Sequence, residues 1–243
     1  KKKKKPLMDS EEVINVAENV ISKGSTFAKS INSKFLWMWS WYNTMYLGGA
    51  HGVSGILYSI LCIPALTKKY NRELLSMIET CKSQCQMKSG NYMTKLSKNK
   101  KQEEDALVHW CHGAPAFVSL YAKAFQVLSH SNEKFAASTT TYAEECNKVV
   151  WERGILRKGP GLCHGVGGNG YAFLCMYRSF HHNLKYLYQS FCFASFLLNT
   201  DQLQDFYATP DNPLSLFEGK IGGGIFVFDT IFAPLTSRFP CFE

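Results

Sequence analysis

No apolar run in this sequence is long enough to cross a bilayer. The longest, GILYSILCIPAL from Gly55, is interrupted by Pro64 and falls short of the ~20 residues a spanning helix needs. A secretory leader is missing too. PLMDSEEVINVAENV, which follows the opening lysines, is acidic and amphipathic where an apolar segment of roughly 7–15 residues would be required. Nine cysteines, an odd number without an export signal, are expected as reduced thiols in a cytoplasmic setting and not as a disulfide framework. Membrane association is not indicated. Strand signals are scarce, with only SGNYMT (Ser89 to Thr94) suggesting a small hairpin or turn. No Pro/Ser/Gly-rich linker divides the chain, so residues 1–243 read as one domain. Nor is there an Asp-rich run or a facing acid pair, which sets aside glycoside hydrolysis and terpene cyclisation.

Positive charge is present but badly placed for nucleic acid. Lys1 to Lys5 supply five of the net +8, and Lys95, Lys98, Lys100 and Lys101 crowd one polar stretch. A nucleic-acid surface needs its cations on one folded face, so residues 1–9 read as a basic disordered tail and no nucleic-acid partner is expected.

What the chain does have is a recurring glycine loop. GGAHGVSGI centres on Gly52, WCHGAPAF on Gly113, LCHGVGGNGY on Gly165 and FEGKIGGGI on Gly219, at spacings of 61, 52 and 54 residues. An apolar helical segment follows each. After Pro115, for example, Phe117, Val118, Leu120, Tyr121, Ala124, Phe125 and Leu128 form a stripe at period 3.6. Between the loops, NRELLSMIETCKSQCQ, EKFAASTTTYAEECNKVVWERG and NLKYLYQSFCFASFLLN fit a second helix each. The expected architecture is all-α, a series of about four helical hairpins from an α/α toroid. A closed ring generally takes about six or seven, which places further hairpins upstream of Lys1.

Two of the loops carry Cys-His-Gly. In such an array the loops share one end, where adjacent Cys and His can turn toward a single point. Cys163 and His164 with Cys111 would give zinc a Cys₂His set and leave one corner of the tetrahedron open. An outside thiol taken there would be deprotonated yet remain nucleophilic. Spacing does not separate Cys111 from His112, and Cys111 is chosen because a second soft ligand suits thiol activation. His51 holds the loop position of these pairs without a cysteine, which suits general acid–base work at the same mouth. His109 reads as a core histidine. The glycines are expected to leave helix-start N–H groups open to anions. Cys81 and Cys85 share one helix face with no histidine partner nearby, and Cys62, Cys175 and Cys192 read as core thiols.

The stretches AHGVSGI, DALVHWCHGAPA, RKGPGLCHGVGGNGYAFL, TPDNPLSLFEG and RFPCFE, running from near Tyr46 to the last residue, resemble the LanC-like family. These are the eukaryotic relatives of bacterial lanthionine cyclases. The resemblance implies a seven-hairpin α/α toroid with one zinc ion at its mouth, held by Cys111, Cys163 and His164. It further implies glutathione as co-substrate, its thiol added to dehydroalanine or dehydrobutyrine residues of a protein or peptide. His51 would then transfer the proton, and Lys158, Thr209, Pro210 and Asp211 would contact glutathione. Two positions depart from the family pattern. Ala208 stands where an arginine is usual, removing a bidentate carboxylate partner, and Ala116 replaces a glycine, tightening the loop if that position needs positive φ. The C-terminus is expected to be complete, and the aromatic FLWMWSWY (Phe35 to Tyr42) to pack on the upstream hairpins. Ala208 also motivates an alternative, a non-catalytic regulatory protein that binds glutathione and zinc.

Overall fold

The computed structural model describes residues 10–96, 105–130, 132–199 and 208–243. The basic tail and Lys98, Lys100 and Lys101 lie outside them. Among the described residues the chain is helical, with three isolated β-bridges and no strand. One bridge, Gln86 to Tyr92, closes the small turn expected near SGNYMT. No helix here is long and apolar enough to cross a membrane.

The four recurring glycines each begin a helix. Gly52 precedes α2 (Val53–Leu61), Gly113 precedes α5 (Ala114–Leu128), Gly165 precedes α7 (Val166–Ser179) and Gly219 precedes α9 (Lys220–Phe232). These four form the inner row, with α2 against α5, α5 against α7 and α7 against α9. Apolar and small residues dominate them, as burial requires, although α9 at the end of the row leaves Ile221, Phe228, Ile231 and Phe232 exposed. Residues 166–177 of α7 are all buried.

The remaining helices are α1 (Glu11–Ser30), α3 (Pro64–Lys69), α4 (Asn71–Cys85), α6 (Glu133–Arg153) and α8 (Leu184–Leu198). Helices α6 and α8 pack on α5 and α7 as their hairpin partners. Pro64 ends the first apolar run as foreseen, sitting at the start of α3, where its missing N–H costs nothing.

The two rows start their helices differently. Ser10, Asn132 and Asn183 cap α1, α6 and α8 with side-chain oxygens, as such residues commonly do. Three of the inner helices, α2, α7 and α9, use backbone. In α2, Val53, Ser54 and Gly55 donate to the carbonyls of Tyr46, Leu47 and Gly48 at 3.1, 3.0 and 3.4 Å. In α7, Val166, Gly167 and Gly168 donate to Gly159, Pro160 and Gly161 at 3.0, 3.2 and 3.1 Å, and in α9 Lys220 donates to Pro213 at 2.8 Å. Every one of these acceptors lies seven residues upstream. These N–H groups, expected to await anions, are therefore already satisfied.

Close approach explains the glycine three residues into three of these helices. A Cβ on Gly55, Gly168 or Gly222 would lie 2.0, 1.8 or 2.0 Å from the carbonyl oxygen of Gly49, Leu162 or Leu216. The fourth equivalent is Ala116. Its loop takes another path because Gly113 adopts φ +115° while the other three starting glycines are extended. Ala116 itself is helical and buried, without positive φ, so its methyl group is accommodated and the expected strain does not arise.

The aromatic segment also departs from expectation. Phe35, Trp37 and Met38 are buried within this chain. Trp37 meets Tyr70 edge-on, Trp39 donates to the Val20 carbonyl at 2.9 Å, and the Trp39 indole lies against Gly24 of α1. A carbonyl and a vacant Cβ position midway along α1 give Trp39 its local surface. Leu36, Trp41 and Tyr42 remain exposed.

Candidate metal centre

Successive glycine loops are stitched side by side. Gly49 N–H donates to Trp110 C=O at 3.2 Å, Cys111 N–H to Cys163 C=O at 3.1 Å, and Cys163 N–H to Phe217 C=O at 2.7 Å. The second loop is a tight turn whose ends, His109 and His112, exchange backbone hydrogen bonds at 2.8 and 3.2 Å. Trp110 and Cys111 occupy its tip. Their shared peptide group accepts from the first loop and donates to the third, which fixes where Cys111 stands.

That stitching brings Cys111, Cys163 and His164 together, with one donor atom from each within 4.8 Å of the others. Ligands on a tetrahedral zinc stand roughly 3.5 Å apart, so small side-chain adjustments would let all three reach one ion. The donor set of two sulfurs and one imidazole suits zinc. Between the thiols, the Cys111 S–H donates to the Cys163 sulfur, and this, with a further hydrogen bond from His164, lowers Cys163 to about 6 against the opposing effect of burial. Giving that hydrogen bond, together with burial, pushes Cys111 up. One sulfur is thus prepared as an anion, and a metal would replace the proton on the other.

His112, the other reading of the third ligand, stays outside this group. Its ring faces Tyr46 at 5.5 Å, and its Nδ1 is buried without a partner among the described residues. Burial, then His51 and His164, lower its pKa. His109 is buried as a core histidine would be, yet its ring lies 6.0 Å from that of His164. Burial, followed by His164, Lys158 and His112, lowers it to about 4. His51 is exposed at the rim, stacked parallel on Trp41 at 5.9 Å and tilted to Tyr46 at 6.0 Å. The sequence marks neither aromatic neighbour as part of this site, Trp41 being read only as part of the aromatic segment Phe35 to Tyr42. Each is close in the chain to His51, but nothing local shows which way its ring turns.

Lys158 is exposed and lies within electrostatic reach of Cys111 and His109. Ala208 N–H donates to the Arg157 carbonyl at 2.7 Å, and Pro210 packs against Gly159. Lys158 and the stretch Thr209, Pro210, Asp211 are therefore neighbours across two loops. Thr209 and Asp211 are exposed. Of the remaining cysteines, Cys81, Cys85, Cys146 and Cys175 are buried, Cys62 and Cys192 are half-buried, and Cys241 is exposed.

A family model described as lanthionine synthetase C-like protein matches residues 2–243. The chain belongs to that family. LanC-like relatives include glutathione S-transferase LANCL1 of Danio rerio, 38% identical over 208 residues that cover 85% of this chain and 48% of the relative. The solved structure of nisin cyclase superposes with a TM-score of 0.58 at 20% identity, covering 89% of this chain and 55% of the cyclase. The LanC-like chain thus has the α/α toroid fold expected from its hairpins, and spans about half the length of these relatives.

Proposed function

We propose that this LanC-like chain carries the zinc-binding part of a transferase that joins glutathione to dehydroalanine or dehydrobutyrine residues in proteins or peptides. The observation that carries the reading is the meeting of Cys111, Cys163 and His164 within 4.8 Å at the shared end of the inner helices. The name of the Danio rerio relative, a glutathione S-transferase, supports the substrate class. When bound, zinc would supply a Lewis acid that keeps an incoming thiol in its thiolate form.

The chain's own residues supply the rest. Lys158 offers an ammonium to a glutathione carboxylate, and Asp211 a carboxylate to the γ-glutamyl ammonium, with Thr209 and Pro210 shaping the same rim. The C–S bond forms at the β-carbon of the dehydroamino acid, leaving negative charge at the α-carbon and its carbonyl. His51, exposed at the mouth and outside the ligand set, delivers the proton there.

The test is full-length chain with glutathione and a dehydroalanine peptide, followed by mass spectrometry of the adduct. About one zinc per chain and adduct formation are expected in the wild type. Cys163→Ala should lose both, and retained activity in that variant would sink the reading. Ala208 favours a second reading, a non-catalytic glutathione- and zinc-binding regulatory protein. On that reading zinc and glutathione bind, but no adduct forms, and His51→Ala changes nothing.

A further inference from the structure

The segment 237–243 returns into the inner row and ends against the loop that carries Cys111. The Glu243 carboxylate is almost wholly buried, with 3% side-chain exposure, and pairs with Arg178 of α7, itself 8% exposed. The same carboxylate accepts from Ser119 Oγ of α5 at 3.3 Å and from Phe239 N–H at 3.4 Å. A buried ion pair is costly to break once formed, because either partner alone would be left uncompensated. The tail is fastened to two inner helices.

Its two rings then close on one side chain. Phe239 stacks on Trp110 with centroids 4.7 Å apart, and Phe242 meets Trp110 edge-on at 5.0 Å. Phe242 also stacks on Tyr58 of α2 at 4.4 Å, and Phe239 leans on Tyr171 of α7 at 5.3 Å. Gly49 completes the enclosure, since a Cβ there would lie 2.9 Å from the indole. Trp110 is 7% exposed, and its Nε1 has no partner among the described residues. Packing, not hydrogen bonding, sets the angle of this ring.

Trp110 shares a peptide group with Cys111, and that group is hydrogen-bonded to loops on both sides. Those two hydrogen bonds hold the loop tip from the backbone, and the packed indole anchors it from the side chain; without that anchor the tip can shift as a unit and carry the Cys111 sulfur away from Cys163 and His164. We infer that Phe239, Phe242 and the Glu243–Arg178 pair are positioning residues for the metal centre, holding Cys111 at ligand distance through Trp110. This rests on the metal reading of Cys111, Cys163 and His164. None of the tail residues would touch the ion.

The experiment is zinc competition against a fluorescent chelator, using the full chain below the unfolding temperature of every variant. Phe242→Ala and Glu243→Gln are compared with Ile78→Ala, which removes a fully buried side chain from outer helix α4 and serves as a control for stability loss. The two tail variants should bind zinc at least tenfold more weakly than wild type, with Ile78→Ala within twofold. Should Phe242→Ala not fold, Phe242→Leu reads the same comparison with a smaller loss. Tail variants that hold zinc as tightly as Ile78→Ala overturn the inference alone. Wild-type chain that binds no zinc overturns the metal reading, and this inference with it.

Discussion

The Asn91 side chain accepts the Ala114 N–H at 2.9 Å and so starts helix α5. Its Nδ2 donates to the Leu107 carbonyl and to Asp105 Oδ1, both at 2.9 Å. Leu107 is the residue seven positions before Ala114, the place whose carbonyl would accept directly in the other three repeats. Asn91 is inserted between the two like a fixed water, and the loop around Gly113 swings wide to admit it. Asp105 in turn is held by Arg153 of α6 at 3.0 Å, so the second loop is anchored to its own outer helix.

Asn91→Ala should therefore be costly. It strips three hydrogen bonds from a site with no exposed surface, leaving the Ala114 donor and the Leu107 acceptor buried and unpaired. We expect a loss of about 2–4 kcal/mol of unfolding free energy, read by urea denaturation. Asn91→Asp should not rescue it, since an acceptor would then face the Leu107 carbonyl and Asp105.

The glycines inside the helix starts predict an asymmetry between repeats. Gly168→Ala forces a methyl group into the Leu162 carbonyl, 1.8 Å from where its carbon must sit. Backbone has to move, and it is the backbone that leads into Cys163 and His164. More than about 3 kcal/mol should be lost, in the range of severe core overpacking. Ala116→Gly, at the equivalent place, should cost only about 1 kcal/mol through helix propensity and a lost methyl group. Thermal unfolding of the two variants side by side checks this.

Stability should fall in mild acid. Burial, with His164, Lys158 and His112 nearby, lowers His109 from an ordinary value of 6.5 to about 4. Between those values the unfolded chain binds a proton that the folded chain refuses. The contribution is fully present above about pH 6.5 and is lost as pH falls toward 4. A decline of up to roughly 2 kcal/mol between pH 7 and pH 5 follows, with His112 acting in the same direction. Asp105 and Glu145, both lowered as carboxylates, act at more acid pH. Urea midpoints across this range should flatten in His109→Gln.

Ala208 offers a gain-of-function test. Its N–H bonds to the Arg157 carbonyl and its side chain is exposed, beside Lys158 and Asp211. Restoring the arginine usual in the family, Ala208→Arg, adds a charge-assisted partner for a glutathione carboxylate. A gain of about 1.5–3 kcal/mol would tighten glutathione binding by roughly ten- to a hundredfold, read by calorimetry. Unchanged affinity would show that this rim does not contact the tripeptide.

The Cys/His cluster was legible because its signal is local. A cysteine and a histidine side by side, repeated in phase with a helical hairpin, needed only the hairpin to bring Cys111 to Cys163 and His164. The helices followed from their apolar periodicity, and Pro64 and the starting glycines marked their ends. What escaped the sequence was every arrangement made at a distance. Asn91 lies 23 residues before the amide it caps, with no motif to join them. The helix-start amides looked free because the carbonyls that fill them belong to the loop's own preceding turn. Trp39 looked like surface for other hairpins because the receptive groove beside Gly24 exists only once α1 is folded.

The tight seat beneath Gly55, Gly168 and Gly222 has a consequence for how such a chain can diverge. Outer helices can exchange nearly any side chain for another of similar size, whereas a spot where backbone touches backbone admits no substitute at all. The recurrence of Gly52, Gly113, Gly165 and Gly219 has the same origin, since a Cβ on any of them would stand within 2.5 Å of other backbone atoms, and it forms a ruler whose marks lie 61, 52 and 54 residues apart. It stays readable after the helices it once measured have stopped resembling one another.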